Sequence, residues 1–274
     1  MSESCNHNCE SCGVEGCSSR IEKVKLNKES KIKKTIAVVS GKGGVGKSFV
    51  TSLIASALNK EGKKVGILDG DIVGPSIPNS FNIHENAYGN ENQHIVPAIS
   101  EGGIKIISSN LLLENEEDPI IWRGGLVCQL LKQFYTEVAW GELEYLLIDM
   151  PPGTSDVTLT TFQSIPLDGI IIVTSPQDLV SLIVKKAVNM AKMMNIPIIG
   201  IVENMSYVEC PKCNEHIEIY GPSKLEEFTK STGTKAITKL PIRQSVANLI
   251  DKGSAEDIVD LMPEVKEIVK ALEE

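Results

Sequence analysis

No apolar run in this chain approaches the roughly 20 residues that a bilayer-spanning helix needs, so no span of that kind is expected. The opening segment, MSESCNHNCESCG, has no apolar stretch of the sort a secretory signal requires. A basic surplus is missing as well: the formal net charge is −9 and the pI about 5.1. Nucleic acid and anionic membrane both call for a basic surface, so neither is expected as a partner. The sequence shows no internal repeat. These absences leave a cytoplasmic protein that works on small molecules or on other proteins.

What is present suffices for a large core. The 274 residues are 42% apolar, enough for one large domain with an appendage. Seven cysteines stand at positions 5, 9, 12, 17, 128, 210 and 213, gathered in two places with Cys128 alone between them. In a reducing compartment such clusters point to metal ligands before disulfides. Residues 1–20 are rich in Cys, Ser, Asn and Gly and poor in apolar side chains, so they form an expected metal-binding segment ordered by what its thiols hold. Residues 21–34 are expected to be a basic linker, because seven basic residues face two acidic ones between Arg20 and Lys34. Residues 35–274 form the remaining domain.

In that domain short Val/Ile/Leu runs alternate with longer helical stretches. The runs at 36–39, 65–68, 104–107, 145–148, 170–173, 198–202 and 236–240 predict strands, and 46–59, 126–138, 178–194, 224–231 and 246–251 predict helices. Near-continuous apolar strands separated by helices predict an α/β fold, a mostly parallel sheet with helices on both faces. Ligands of such sheets bind beyond the C-terminal strand ends, and every motif below falls there.

The first predicted strand runs into Ser40-Gly41-Lys42-Gly43-Gly44-Val45-Gly46-Lys47-Ser48 and then a helix, the context in which G-x4-G-K-S is a phosphate loop. Its glycines let successive backbone N–H groups close round a phosphate at a helix N-terminus. Lys47 is expected to reach the β- and γ-phosphates of ATP, and Ser48 to place its hydroxyl on Mg²⁺. Asp69 and Asp71 follow the second strand and Asp149 the fourth; carboxylates at neighbouring strand ends can share one metal ion and one water. The loop resembles the deviant Walker A loop of P-loop ATPases. That resemblance implies that Lys42 crosses a two-fold axis to the partner's nucleotide in a homodimer, that Asp71 orients the attacking water, and that Asp149 is the Walker B carboxylate. It also implies that Asn204 reads the adenine and that Pro241 packs on the ring.

Cys210 and Cys213, three residues apart just beyond Asn204, can chelate one metal but supply only two of four ligands. A two-fold dimer would supply the other two. His216 extends the run to C-x2-C-x2-H, with a solvated surface role as the plainer reading. Cys5, Cys9, Cys12 and Cys17 are four thiols within thirteen residues and can close a site in one chain, holding either zinc or a 4Fe–4S cluster. Cys128 reads as core packing.

Further motifs narrow the resemblance. Gly74-Pro75-Ser76-Ile77-Pro78, Trp122-Arg123-Gly124, Trp140-Gly141-Glu142-Leu143, Asp149-Met150-Pro151-Pro152-Gly153-Thr154-Ser155-Asp156 and Asn204-Met205-Ser206-Tyr207 ahead of Cys210-Pro211-Lys212-Cys213 have no role in generic P-loop proteins. With the loop they make the chain similar to the Mrp/ApbC iron–sulfur cluster carriers, near the eukaryotic cytosolic scaffold ATPases. The resemblance implies a homodimeric ATPase that assembles a labile 4Fe–4S cluster between paired Cys210 and Cys213 and passes it to apo-proteins, with ATP hydrolysis coupled to loading or release. Two other readings share parts of the pattern. A partition or septum-positioning ATPase shares the loop, but residues 263–274 carry four glutamates against two lysines where a basic tail would be needed. A nucleotide-binding protein with structural zinc shares the thiols, since thiolates accept both metals.

Overall fold

The computed structural model describes residues 22–113, 124–177 and 182–274. In chain order the first half comprises β1 (Ser30–Ser40), α1 (Lys47–Lys60), β2 (Val65–Asp69), the one-turn α2 (Ile77–Ser80), short β3 (Tyr88–Gly89), β4 (Ile95–Val96) and β5 (Ala98–Ile99), then β6 (Lys105–Ile107) and α3 (Gly125–Thr136). The second half comprises β7 (Gly141–Asp149), α4 (Asp156–Ser164), β8 (Gly169–Thr174), α5 (Leu182–Met193), β9 (Ile198–Glu203), β10 (Val208–Glu209), β11 (His216–Ile217), α6 (Leu225–Thr232), β12 (Ala236–Lys239), α7 (Gln244–Asp251) and α8 (Val265–Glu273).

The main sheet runs β12-β9-β8-β1-β7-β2-β6-β5, parallel throughout except for β5, which pairs antiparallel with β6 at one edge. Alternation across the pleat divides its side chains between two cores. Ile36, Val38, Leu147, Ile171 and Val173 face α1, α7 and α8, while Ala37, Val39, Leu146, Ile148, Ile170 and Ile172 face α3, α4, α5 and α6. Burial on both faces is why the central strands read as unbroken apolar runs, and the seven expected strands all lie in this sheet.

The sequence expectation and the structure part at three places. β1 begins at Ser30, inside the expected linker, and Ser30–Lys34 pairs with β7 from Gly141 to Tyr145. Its polar alternation marks the half that has β7 alone beside it, whereas Ile36–Val39, which pairs with β8 as well, is apolar without a break. The segment before it is anchored too: Lys23 Nζ donates to the carbonyls of Phe162 (2.7 Å) and Ile165 (3.1 Å), and Asn27 Nδ2 to those of Thr136 (2.9 Å) and Val138 (2.7 Å). Three helices, the one-turn α2 and the longer α4 and α8, are absent from the expected set. α4 is threonine-rich and weak in intrinsic propensity, but it buries Thr158, Thr161 and Phe162. α8 buries Val265, Ile268, Val269 and Leu272, the i, i+3, i+4, i+7 stripe of an amphipathic helix. The predicted helix at 178–194 corresponds to α5, its first residues lying outside the described ones, as do Cys5, Cys9, Cys12, Cys17, Trp122 and Arg123.

Candidate functional site

Register brings the acidic strand ends together. Asp69 of β2 pairs with Asp149 of β7, and Asp149 pairs in turn with Val38 of β1, two residues before the loop. The loop then turns into α1 through Gly44 (φ 83°) and Gly46 (φ 78°), left-handed conformations that side chains disfavour. At Gly46 the constraint is double, because a Cβ there would overlap Asn204 Nδ2. The loop, with Phe49, Asp71, Ser76 and Pro152, encloses a cavity of about 270 Å³.

Inside the site Asp149, fully buried, gathers three groups from the start of α1. Its Oδ2 accepts from Lys47 Nζ and from Ser48 Oγ, both at 2.6 Å, and its Oδ1 accepts from Thr51 Oγ1 at 2.7 Å. Lys47 is only 7% exposed, so this ion pair is shielded from water. Thr51 is a residue that sequence reasoning missed; its signal is the spacing, one helical turn after Lys47, which puts both on the same face. Asp69 is buried beside them. Its carboxylate accepts from the backbone N–H of Asp71 (3.2 Å) and from Ser108 Oγ (3.2 Å). Burial, and then the negative charge of Asp149, push its pKa up to about 7. Burial likewise raises the pKa of Asp71, which lines the cavity. Lys42 lines the same cavity.

Asn204 sits at the end of β9, beneath the loop. It is 3% exposed and its Nδ2 donates to the Val45 carbonyl at 2.9 Å, so its amide clasps the phosphate loop from below. Pro241 is buried after β12, between Leu240, whose carbonyl accepts from Ser206 N (2.9 Å), and Ile242, whose N–H donates to Tyr207 O (2.8 Å).

The thiols occupy the tip of the β10–β11 hairpin. Cys210 N donates to Glu215 O and Asn214 N to Cys210 O, each at 2.9 Å, with Asn214 left-handed at φ 58°. The backbone N–H groups of Lys212 and then Cys213 hydrogen-bond the Cys210 sulfur and hold its thiol below the ordinary range. Cys213 is exposed. His216 stacks on Tyr207 with ring centroids 4.0 Å apart. Among the described residues no group of three or more His, Cys, Asp or Glu side chains is placed to hold a metal ion, so they offer two thiols and no third ligand there. Cys128 is half-buried, and Thr160 Oγ1 donates to its sulfur at 3.3 Å.

A family model described as ParA, the NUBPL iron-transfer P-loop NTPases, matches residues 31–274. The chain belongs to this family. Among members of the iron-transfer group, the iron-sulfur cluster carrier protein of Clostridium perfringens is 47% identical over 251 residues, covering 89% of this chain and 88% of that one. The carrier of Methanocaldococcus jannaschii is 43% identical over 280 residues, covering 98% and 97%. The iron-sulfur cluster transfer protein NUBPL of Dictyostelium discoideum is 40% identical over 255 residues, covering 88% and 77%. A solved structure of a nucleotide-binding protein from Archaeoglobus fulgidus in complex with ADP aligns at TM-score 0.74 and 42% identity, covering 82% of this chain and 88% of that one. The MinD cell division protein of Aquifex aeolicus shares the fold at TM-score 0.59 and 18% identity. Membership of the iron-transfer family leaves the septum-positioning reading not favoured.

Proposed function

We propose that this iron-transfer NTPase binds ATP with Mg²⁺ at the Ser40–Ser48 loop and carries a labile 4Fe–4S cluster as cargo between Cys210 and Cys213 of two copies. It passes the cluster to apo iron–sulfur proteins, with hydrolysis coupled to loading or release. The observation that carries this reading is the two-thiol hairpin rooted directly beside the loop. One chain supplies half of a four-thiolate site, so a second copy is required. A reducing, cytoplasmic setting belongs to the proposal, since the thiols must stay free.

Oxygen donors suit Mg²⁺: Ser48 Oγ and the Asp149 carboxylate lie 2.6 Å apart and are the groups that would hold it. When bound it would neutralise charge on the phosphoryl oxygens. Gly41, Gly43, Gly44, Val45 and Gly46 present backbone N–H groups to the phosphates. Lys47 exchanges its Asp149 partner for phosphate oxygens, Lys42 adds a cation at the partner's nucleotide, and Asp71 orients the attacking water. Asp69 braces the turn that carries Asp71, and Asn204 and Pro241 bound the base. Cys5, Cys9, Cys12 and Cys17 are proposed as a second metal-binding segment within 1–20.

Anaerobic reconstitution with iron and sulfide, followed by absorption spectra and transfer to an apo-ferredoxin-like acceptor, tests the carrier. Cys210→Ala and Cys213→Ala are expected to lose both assembly and transfer; variants that perform like the parent would sink the proposal. For hydrolysis, Lys42→Ala and Asp71→Ala are expected to abolish turnover while keeping nucleotide binding, and normal turnover in both would refute those roles.

A further inference from the structure

The nucleotide and thiol sites meet at one dipeptide. Glu203, the last residue of β9, is fully buried, and among the described residues no Lys, Arg or His pairs with its carboxylate. Its two oxygens accept from two serines instead: Ser206 Oγ at 2.5 Å and Ser223 Oγ at 3.0 Å. Ser206 lies four residues before Cys210 and Ser223 ten residues after Cys213, so one carboxyl group fastens both roots of the thiol hairpin to the end of β9. The next residue, Asn204, fastens the phosphate loop through Val45 O. Met205, between Asn204 and Ser206, is left-handed at φ 57°. A carboxyl group is costly to bury, and here it is held by the hydroxyls of the two serines that flank the hairpin.

We propose that Glu203 is a positioning residue: the Glu203–Asn204 dipeptide transmits the state of the phosphate loop to the Cys210–Cys213 hairpin, with Ser206 and Ser223 as the receiving contacts. The inference rests on the carrier reading and adds the residues through which nucleotide would act on the thiols. A shift of the Val45 carbonyl moves Asn204, and the adjoining peptide moves the Glu203 carboxyl group with the two hairpin roots it holds. The two sites thereby bias one shared element, as a coupling between binding sites requires.

Hydrogen exchange read by mass spectrometry tests this on the full chain, with and without Mg²⁺ and a non-hydrolysable ATP analogue. The parent is expected to show slower exchange in the loop and a changed rate across residues 206–223, of about fivefold. Ser223→Ala, at a half-buried position, and Glu203→Ala are expected to keep the loop protection and lose most of the hairpin response, while Glu203→Gln, which retains an acceptor, restores part of it. A hairpin response as large in Ser223→Ala and Glu203→Ala as in the parent overturns the inference, and so does a parent hairpin that ignores nucleotide. Loop protection in the same spectra separates this failure from that of the nucleotide site itself, since a parent loop that gains no protection removes both.

Discussion

Asp69 shows how a single residue can set a pH dependence. Its carboxyl keeps its proton to about pH 7 in the folded chain against 3.8 for the free group, because burial and the Asp149 charge both oppose ionisation. Between those values the folded state binds more protons than the unfolded state, so this group's contribution to stability falls as pH rises through the window. The urea midpoint is therefore expected to decline from pH 5 toward pH 8 by more in the parent than in Asp69→Asn, and parallel profiles would contradict the assignment. Gly46 offers a steric test. Gly46→Ala adds a Cβ at φ 78° against Asn204 and should cost about 1–3 kcal/mol in chemical denaturation while weakening ATP binding sharply. Glycine spacing makes the loop legible in sequence, but not the reason for Gly46, which depends on an amide arriving from 158 residues away.

At the scale of elements, Arg243 joins three of them. Its guanidinium forks onto Glu264 at 2.8 and 2.9 Å, donates to Leu261 O at 2.9 Å, and reaches Glu209 of β10 at 3.4 Å. The fork is half-buried, so Arg243→Lys, which cannot reproduce two parallel donors, is expected to lower stability by about 1–2 kcal/mol in urea titration. The strands were readable because their apolar runs are unbroken, and α1 because a phosphate loop must open a helix. α4 escaped because its threonines prefer other conformations until Phe162 is buried, and the start of β1 escaped because Ser30–Lys34 looks like a charged linker until β7 lies beside it. At the site, Lys47, Ser48 and Asp149 are legible from motif spacing, and the fold sets the first two against the Asp149 carboxylate. Glu203 and Thr51 carry no motif, since their meaning lies in partners brought near by the fold.

For the molecule as a whole, two cores on opposite faces of one sheet mean that a defect in either should unfold the chain together. Phe134, fully buried on the α3 side, is a clean probe: Phe134→Ala should cost about 3–5 kcal/mol, with far-ultraviolet dichroism and tryptophan fluorescence moving in one transition. Separate transitions would show the faces to be independent. The proposed carrier also predicts an assembly state: the reconstituted parent should elute from size exclusion as a dimer, and Cys210→Ala treated identically should not. The hydrogen bonds from Lys212 and Cys213 that lower the Cys210 pKa have one more consequence. A thiol readied for iron is equally readied for peroxide, because the same thiolate is the form that oxidises to a sulfenate. The phosphate loop contains no cysteine. On the proposed carrier reading, oxidative stress would therefore strike cargo binding ahead of nucleotide turnover, leaving a chain that consumes ATP with nothing to deliver.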